Sequence, residues 1–124
     1  MAKWRDLQNE ESWHGFRQAL THVQGGFLFK MSPICSVSFK AEVELEAWRA
    51  GLGDEGLFLF SRVDVIAARA LSRFIAAELG VKHESPQVFR LDPRGHVLWH
   101  ADHFAITRQN LAAAAGIQGA STPS

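Results

Sequence analysis

The stretch Phe27-Leu28-Phe29-Lys30-Met31-Ser32-Pro33-Ile34-Cys35-Ser36-Val37-Ser38 contains the change of pattern that decides the fold. Its first four residues, Phe27–Lys30, are predicted to form a short buried strand, because they continue the apolar run Gly25–Phe29. After the cysteine, apolar side chains recur at helical spacing and predict a helix over Ser36–Ala50. Cys35 therefore lies between a strand and the helix that follows it, where a mainly parallel sheet exposes its active edge.

The rest of the chain continues this alternation of helices and strands. Periodicity and turn residues predict these further elements: a helix over Glu10–Val23, a strand over Gly56–Val63, a helix over Ile66–Leu79, a hairpin of Gln87–Leu91 and His96–His100, and a closing helix capped by Thr107. Two βα units followed by a hairpin and a terminal helix form the element order of the thioredoxin fold. We therefore expect an α/β protein with a mixed four-stranded sheet flanked by helices. A ferredoxin-like sandwich shares several of these steps.

Length and composition predict one domain. The 124 residues are 47% hydrophobic and carry 13 basic and 13 acidic side chains. The predicted domain spans 1–115, and the small, polar residues 116–124 are expected to form a disordered tail. The chain has no basic cluster and no apolar run of membrane-helix length, so we expect neither a nucleic-acid partner nor a membrane. A cytoplasmic location with a reduced thiol is expected, because no apolar signal region precedes the domain.

Cys35 is the only cysteine, so the chain cannot form an intramolecular disulfide or an all-cysteine metal cage by itself. A free cysteine is often no more than a small buried side chain. Here the neighbours are turn and cap formers, Ser32, Pro33, Ser36 and Ser38, and this favours a reactive thiol. Backbone N–H groups and the positive end of a helix would lower the pKa of a thiol at this position.

A second candidate position is Pro86, directly before the predicted strand Gln87–Leu91. In a thioredoxin-like fold the residue before such a proline, here Ser85, offers its backbone to an extended ligand beside the nucleophile. A cis peptide bond at Pro86 would therefore be informative. A trans proline that merely starts an edge strand is equally compatible with the sequence.

Three stretches resemble the monothiol bacilliredoxins of the YtxJ type. They are Lys30–Ser38, Gly80–Val88 and Val97–Thr107. The second contains Lys82-His83-Glu84-Ser85-Pro86-Gln87, which is close to a family signature. The first departs most clearly from the family's usual Lys-His-Ser-Thr-Thr-Cys-Pro-Ile-Ser at Met31, Pro33, Ile34 and Ser36. The resemblance runs from about Leu7 to Leu111 and implies a thioredoxin-like fold, a cis proline at Pro86, and thiol–disulfide exchange with bacillithiol mixed disulfides.

The resemblance also implies roles for individual residues. Cys35 would attack the bacillithiol sulfur of a protein–bacillithiol mixed disulfide, and a second bacillithiol or a reductase would regenerate the thiol. Ser38, at the position of a resolving cysteine, would either donate a hydrogen bond to the thiolate or satisfy the helix start. The residues expected to bind substrate are Ser32, Pro33, Ser85, Pro86, Lys30 and His83, with Lys82 as a further cation for the malate carboxylates of bacillithiol.

The sequence also offers alternatives to this assignment. Ser32-Pro33-Ile34-Cys35 could be a Cys-x-x-Cys motif that has lost its first cysteine, but this register leaves only one residue between the strand and the motif. His96, His100, Asp102 and His103 have plausible metal spacing, yet no further ligand is evident, so we predict no metal site. No bound cofactor is expected, and bacillithiol is the expected co-substrate. An iron–sulfur cluster shared between two chains stays open, as does the oligomeric state.

Two classes of function follow. The first is a monothiol oxidoreductase whose partners are S-bacillithiolated proteins and bacillithiol. The second is a non-catalytic thioredoxin-like binding module or redox sensor, which the altered residues around Cys35 favour. Most aromatic side chains are interpreted as core and not as ligand contacts, namely Trp13, Trp48 and the nine phenylalanines.

Overall fold

The protein alternates short strands and helices over 3–52 and 56–117, the residues that this computed structural model describes. The elements are β1 (Trp4–Asp6), α1 (Glu10–Ala19), β2 (Gly26–Met31), α2 (Ser36–Ala50), β3 (Leu59–Asp64), α3 (Arg69–Leu79), β4 (Gln87–Leu91), β5 (Val97–Asp102) and α4 (Arg108–Ala115). Short 3₁₀ turns cover Leu20–His22 and His103–Ala105. No helix within the described ranges combines the length and apolar character that a membrane crossing requires.

The strands form one mixed sheet in the order β1-β3-β2-β4-β5. β2 and β1 each pair in parallel with β3, while β4 lies antiparallel to both β2 and β5. The α/β prediction is confirmed, but the predicted count of four strands is wrong. The fifth strand is β1, whose Trp4 lies opposite Phe60. Three residues are too few to show an alternating pattern, so the sequence did not reveal this strand.

Local hydrogen bonds explain where the helices begin. Asn9 caps α1 by accepting the Ser12 N–H at 2.9 Å, and the Ser12 hydroxyl oxygen accepts the Asn9 N–H in return. α3 begins at Arg69, and the predicted start at Ile66 is wrong. The Asp64 carboxylate accepts the N–H groups of Ile66 and Ala67, which holds these residues in a turn before the helix.

The α1 prediction is too long by the last turn, because α1 ends at Ala19 and a 3₁₀ turn covers Leu20–His22. The other end of the chain follows the prediction, since the Thr107 hydroxyl accepts the Asn110 N–H and caps α4. Of the predicted tail, only Gly116 and Ile117 are described, and their N–H groups close the last turn of α4. Residues 118–124 lie outside the described part of the chain.

Two apolar layers enclose the sheet. Phe27 and Phe29 of β2 face one layer, formed with α2 and α4, whereas Leu28 faces the other, formed with α1 and α3. β2 is buried along almost its whole length because it lies between β3 and β4. Its carboxyl end therefore brings the chain to the edge of the sheet at the start of α2, where the candidate site is found.

Candidate functional site

Cys35 occupies the residue position immediately before the first turn of α2. Its backbone is extended, with φ −106° and ψ 123°, and its carbonyl oxygen accepts the Phe39 N–H at 3.2 Å. Its own N–H donates to the Ser32 carbonyl oxygen at 3.3 Å, which closes a tight turn over 32–35. The side chain is partly exposed and carries a free thiol. The strand-to-helix placement predicted from the sequence is thus the one observed.

The start of α2 makes this thiol more acidic than an ordinary cysteine. Hydrogen bonds from the backbone N–H groups of Ser38 and Val37 lower the pKa of Cys35, and the Ser38 hydroxyl adds to this effect. The small loss of hydration acts in the opposite direction but is outweighed. The first turn of α2 has no acidic residue that would oppose the helix dipole. The thiolate, which is the nucleophilic form, is therefore favoured at an accessible position.

Ser38 connects the helix start to the loop before it. The side chain is buried, and its hydroxyl oxygen accepts the Ser32 N–H at 3.0 Å while the hydroxyl also bonds to Cys35. The structure therefore brings Ser32, Cys35 and Ser38 together, as the sequence indicated. Both roles considered for Ser38, stabilising the thiolate and satisfying a backbone group, are compatible with this one hydroxyl. Pro33 is exposed on the same loop.

The loop that ends at Pro86 lies at the same edge of the sheet. β4 begins at Gln87, which pairs with Lys30 near the end of β2, so the residues just before β4 lie next to the loop that carries Cys35. The Ser85–Pro86 peptide bond is cis. Pro86 is buried, and its carbonyl oxygen accepts the His103 N–H at 3.1 Å. The Ser85 hydroxyl oxygen is shielded and has no hydrogen-bond partner within the described residues.

Lys30 does not occupy the surface position that substrate binding was expected to require. The side chain is fully buried, its Nζ donates to the Ser72 carbonyl oxygen at 2.9 Å, and it lies 5.8 Å from the centre of the Phe89 ring. The reason is strand alternation, because Lys30 shares the face of Leu28 and therefore points into the layer formed with α3. Burial lowers its pKa to about 8. A solvent-borne carboxylate has no direct access to this ammonium.

The other two predicted cations differ from each other. Lys82 is 89% exposed and lies 3.8 Å from the Glu84 carboxylate. His83 turns its Nδ1 inward, 3.4 Å from Lys30 Nζ and 3.2 Å from the Ser72 hydroxyl. Loss of hydration, followed by the Lys30 charge, lowers the pKa of His83. Lys82 is thus open to solvent, whereas His83 is connected to the protein interior.

The described residues contain one compact group of potential metal-binding side chains, Glu84, Asp102 and His103, whose ligand atoms lie within 4.8 Å of one another. His103 Nδ1 lies 2.9 Å from Asp102 Oδ1, so a hydrogen bond already satisfies this pair. His96 and His100, which the sequence spacing had suggested as partners, are not part of the group.

Three exposed apolar side chains, on the thiol loop, on α2 and in the turn after β5, were missed in the sequence. Ile34 is 84% exposed, Phe39 is 70% exposed, and Phe104 is 68% exposed. The interpretation of all nine phenylalanines as core is therefore wrong for two of them. Phe39 lies one helical turn after Cys35 and outside the apolar stripe of α2, which was the signal available in the sequence.

Comparisons with known proteins agree with this description. The family profile of the monothiol bacilliredoxin BrxC matches residues 5–111. One similar solved structure is a protein assigned as an oxidoreductase with a thioredoxin fold. It is 27% identical, has a TM-score of 0.77, and its alignment covers 90% of this chain and 93% of that protein.

Thioredoxins share the fold at lower identity. The Trypanosoma brucei brucei thioredoxin is 14% identical with a TM-score of 0.67, and the alignment covers 93% of each chain. The Fasciola hepatica thioredoxin is also 14% identical, with a TM-score of 0.66 and coverage of 88% of this chain and 93% of its own. The predicted thioredoxin-like fold is therefore confirmed. Because the family profile extends over most of the chain, this protein belongs to the monothiol bacilliredoxin BrxC family.

Proposed function

We propose that the protein is a monothiol thiol–disulfide oxidoreductase that removes bacillithiol from S-bacillithiolated proteins through Cys35. The observation that carries the proposal is a partly exposed thiol whose pKa is lowered by the N–H groups at the start of α2. Membership of the bacilliredoxin family and the thioredoxin fold support a thiol redox role in general. The choice of bacillithiol as the thiol follows from the family and is the part that needs direct testing.

The exchange consists of two balanced steps. The Cys35 thiolate attacks the bacillithiol sulfur of the mixed disulfide, so a Cys35–bacillithiol disulfide forms and the substrate protein leaves as a thiolate. A second bacillithiol thiolate then attacks the bacillithiol sulfur on Cys35, releasing bacillithiol disulfide and restoring the Cys35 thiolate. No second cysteine is needed, in agreement with the single cysteine of the chain. Bacillithiol acts as a co-substrate, and the cycle uses no bound cofactor.

The neighbouring residues have distinct proposed roles. Ser38 stabilises the Cys35 thiolate through its N–H and hydroxyl groups, and Ser32 with Pro33 forms the loop that the mixed disulfide approaches. Ser85 and Pro86 present backbone to the substrate chain from the adjacent loop. Cationic groups on the loop that ends at Pro86, above all the exposed Lys82, are available to the carboxylates of bacillithiol.

The test uses a bacillithiolated protein as substrate and intact-mass spectrometry of both partners. We expect loss of bacillithiol from the substrate and a matching mass increase on wild-type Cys35. Cys35→Ser, which changes one atom at a partly exposed position, should show neither change. The proposal fails if wild-type Cys35 stays unmodified while the substrate keeps its bacillithiol.

A binding module without catalysis is the second candidate. The exposed Ile34, Phe39 and Phe104 favour it, because apolar side chains at a surface are typical of protein contacts. This candidate predicts that a partner protein still binds when Cys35 is replaced by serine. The oxidoreductase proposal instead predicts that release of bacillithiol from the substrate protein depends on the Cys35 sulfur.

A further inference from the structure

Lys30 is a buried cation for which the proposed exchange has no direct use. Its side chain is fully buried, and no carboxylate in the described part of the chain lies within salt-bridge distance of it. Its hydrogen-bond partners there are the Ser72 carbonyl oxygen and the His83 ring. A buried charge without a counter-ion destabilises a fold. The groups that contact the Lys30 ammonium therefore indicate its role.

The contact with His83 fixes the state of the imidazole ring. A lysine ammonium only donates hydrogen bonds, and the Ser72 hydroxyl also points to the same ring nitrogen. Nδ1 of His83 must therefore accept, so the ring is neutral and carries its proton on Nε2. Loss of hydration and then the positive charges of Lys30 and Arg73 favour this neutral form, and the Glu84 carboxylate opposes them.

Further contacts hold the backbone on either side of His83. The buried Gln87 accepts the Glu84 N–H at 3.2 Å and donates to the Lys82 carbonyl oxygen at 3.0 Å. Gln87 is also the register partner of Lys30 in the sheet. Side chains from β2, α3 and β4 thus hold residues 82–84 against the sheet. Ser85 and Pro86, the residues proposed to present backbone to the substrate, follow directly.

We propose that Lys30 and His83 are positioning residues for the thiol–disulfide exchange, and that the buried ammonium fixes the loop 82–86 so that Ser85 faces the mixed disulfide. This inference rests on the proposed function. Lys30 does not touch the substrate and acts through the His83 ring. Loss of the anchor should therefore weaken productive binding of the substrate chain and leave the chemistry of the thiol unchanged.

The test compares kcat and KM for a bacillithiolated peptide with the rate at which iodoacetamide alkylates Cys35. Lys30→Met removes the donor at similar length, and His83→Leu removes the acceptor. Each should raise KM roughly tenfold, the loss typical of one hydrogen bond to a charged group, with the alkylation rate unchanged. His83→Asn, whose amide oxygen lies at the same number of bonds from Cβ as Nδ1 and can accept from Lys30 without titrating, should restore KM to near the wild-type value.

Two exposed residues at a distance from the loop supply matched controls. Lys3→Met and His22→Leu repeat the same chemical changes and should leave both rates at the wild-type values. Circular dichroism establishes that each variant is folded. If Lys30→Met does not fold, the comparison of His83→Leu with His83→Asn tests the inference, because His83 lies at the surface end of the contact.

A wild-type KM in folded Lys30→Met and His83→Leu would overturn the inference. So would a parallel fall in alkylation, since the two residues would then act on the thiol itself. If the wild-type protein releases no bacillithiol, the proposed function fails separately. Amide hydrogen exchange of residues 82–87 then decides whether the loop is anchored, with faster exchange expected in both variants and unchanged exchange contradicting the anchor.

Discussion

The two loops at the active edge of the sheet are built in different ways. The loop 32–35 is shaped mainly by backbone hydrogen bonds, and the N–H groups of Val37 and Ser38 lower the Cys35 pKa. The loop 82–86 is held by the side chains of Lys30, Ser72 and Gln87. Backbone groups are available whatever the residue types, whereas side-chain contacts require particular ones.

This difference accounts for an asymmetry in the sequence. The segment around the cysteine departs from the usual family pattern at Met31, Pro33, Ile34 and Ser36, while the segment Lys82–Gln87 is close to the family signature. The departures fall where thiol acidity depends mainly on backbone groups. The signature falls where the loop depends on side chains. The comparison therefore predicts that the two loops respond differently to substitution.

The largest expected effect is on the exchange itself. Cys35→Ser should abolish removal of bacillithiol, because a hydroxyl at this position cannot form the mixed disulfide. Cys35 is partly exposed and belongs to neither core layer, so the thermal midpoint of unfolding should stay close to that of the wild type. Mass spectrometry of the adduct and a thermal melt measure the two properties. Residual exchange in this variant would show that the reaction does not use Cys35.

The second expected effect concerns Lys30 and the pH dependence of stability. Its pKa is about 8 in the folded protein against 10.5 for an ordinary lysine, so the unfolded chain binds more protons between these values. The free energy of unfolding should therefore rise as the pH increases from about 8 to 10.5. At 1.36 kcal/mol per unit, the rise amounts to about 3 kcal/mol.

Denaturant unfolding at several pH values measures this rise. Lys30→Met should lack this contribution and keep only the rise that the lowered pKa of Cys35 adds, whereas Lys3→Met, the exposed control, should keep both. An identical pH dependence in wild type and Lys30→Met would show that Lys30 is not held as a buried ammonium.

A smaller effect is expected at Ser38. Ser38→Ala removes the hydroxyl that bonds to Cys35 and also accepts the Ser32 N–H, but it keeps the backbone N–H group. The Cys35 pKa should rise, and the protein should lose about 1 kcal/mol of stability, as is typical for one hydrogen bond. Alkylation across a pH series and denaturant unfolding report these changes. A Cys35 pKa that stays the same would restrict Ser38 to a structural role.

The smallest effect is expected for Ser36→Pro, which restores the residue that is usual in the family. Proline is well accommodated in the first turn of a helix, and the Ser36 N–H is not among the groups that lower the Cys35 pKa. Alkylation of Cys35 should therefore stay within about twofold of wild type, and stability should change by no more than about 1 kcal/mol. A large change in alkylation would mean that the thiol loop depends on this side chain after all.

Elements with a clear apolar pattern and clear boundary residues were predictable from the sequence. α2 and β4 have the predicted bounds, Ser36–Ala50 and Gln87–Leu91, because an apolar pattern and a clear boundary residue coincide at each. β1 was missed because its pairing with β3 depends on long-range contacts that three residues do not encode. The position of the thiol at the start of α2 was also correct, since it depends on the same local pattern.

The contacts that hold the loop 82–86 could not be predicted from the sequence. Lys30 was expected to face solvent because it is charged. Its position two residues after the buried Leu28 on the same strand already places it on the inner face that Leu28 occupies. Its contact with His83 joins residues 53 positions apart, and no local pattern reports such a contact. The exposure of Phe39 and Phe104 likewise depends on how α2 and the turn at His103–Ala105 pack.

The pH dependence of alkylation at Cys35 is the most direct measurement for a reactive thiol at the start of α2. Cys35 is the only cysteine, so the whole signal arises from one group. The rate follows the thiolate and increases as the pH rises through the pKa. We expect the midpoint of the folded protein to lie below that of the same chain in denaturant. A folded midpoint equal to or above the denatured one would contradict the account.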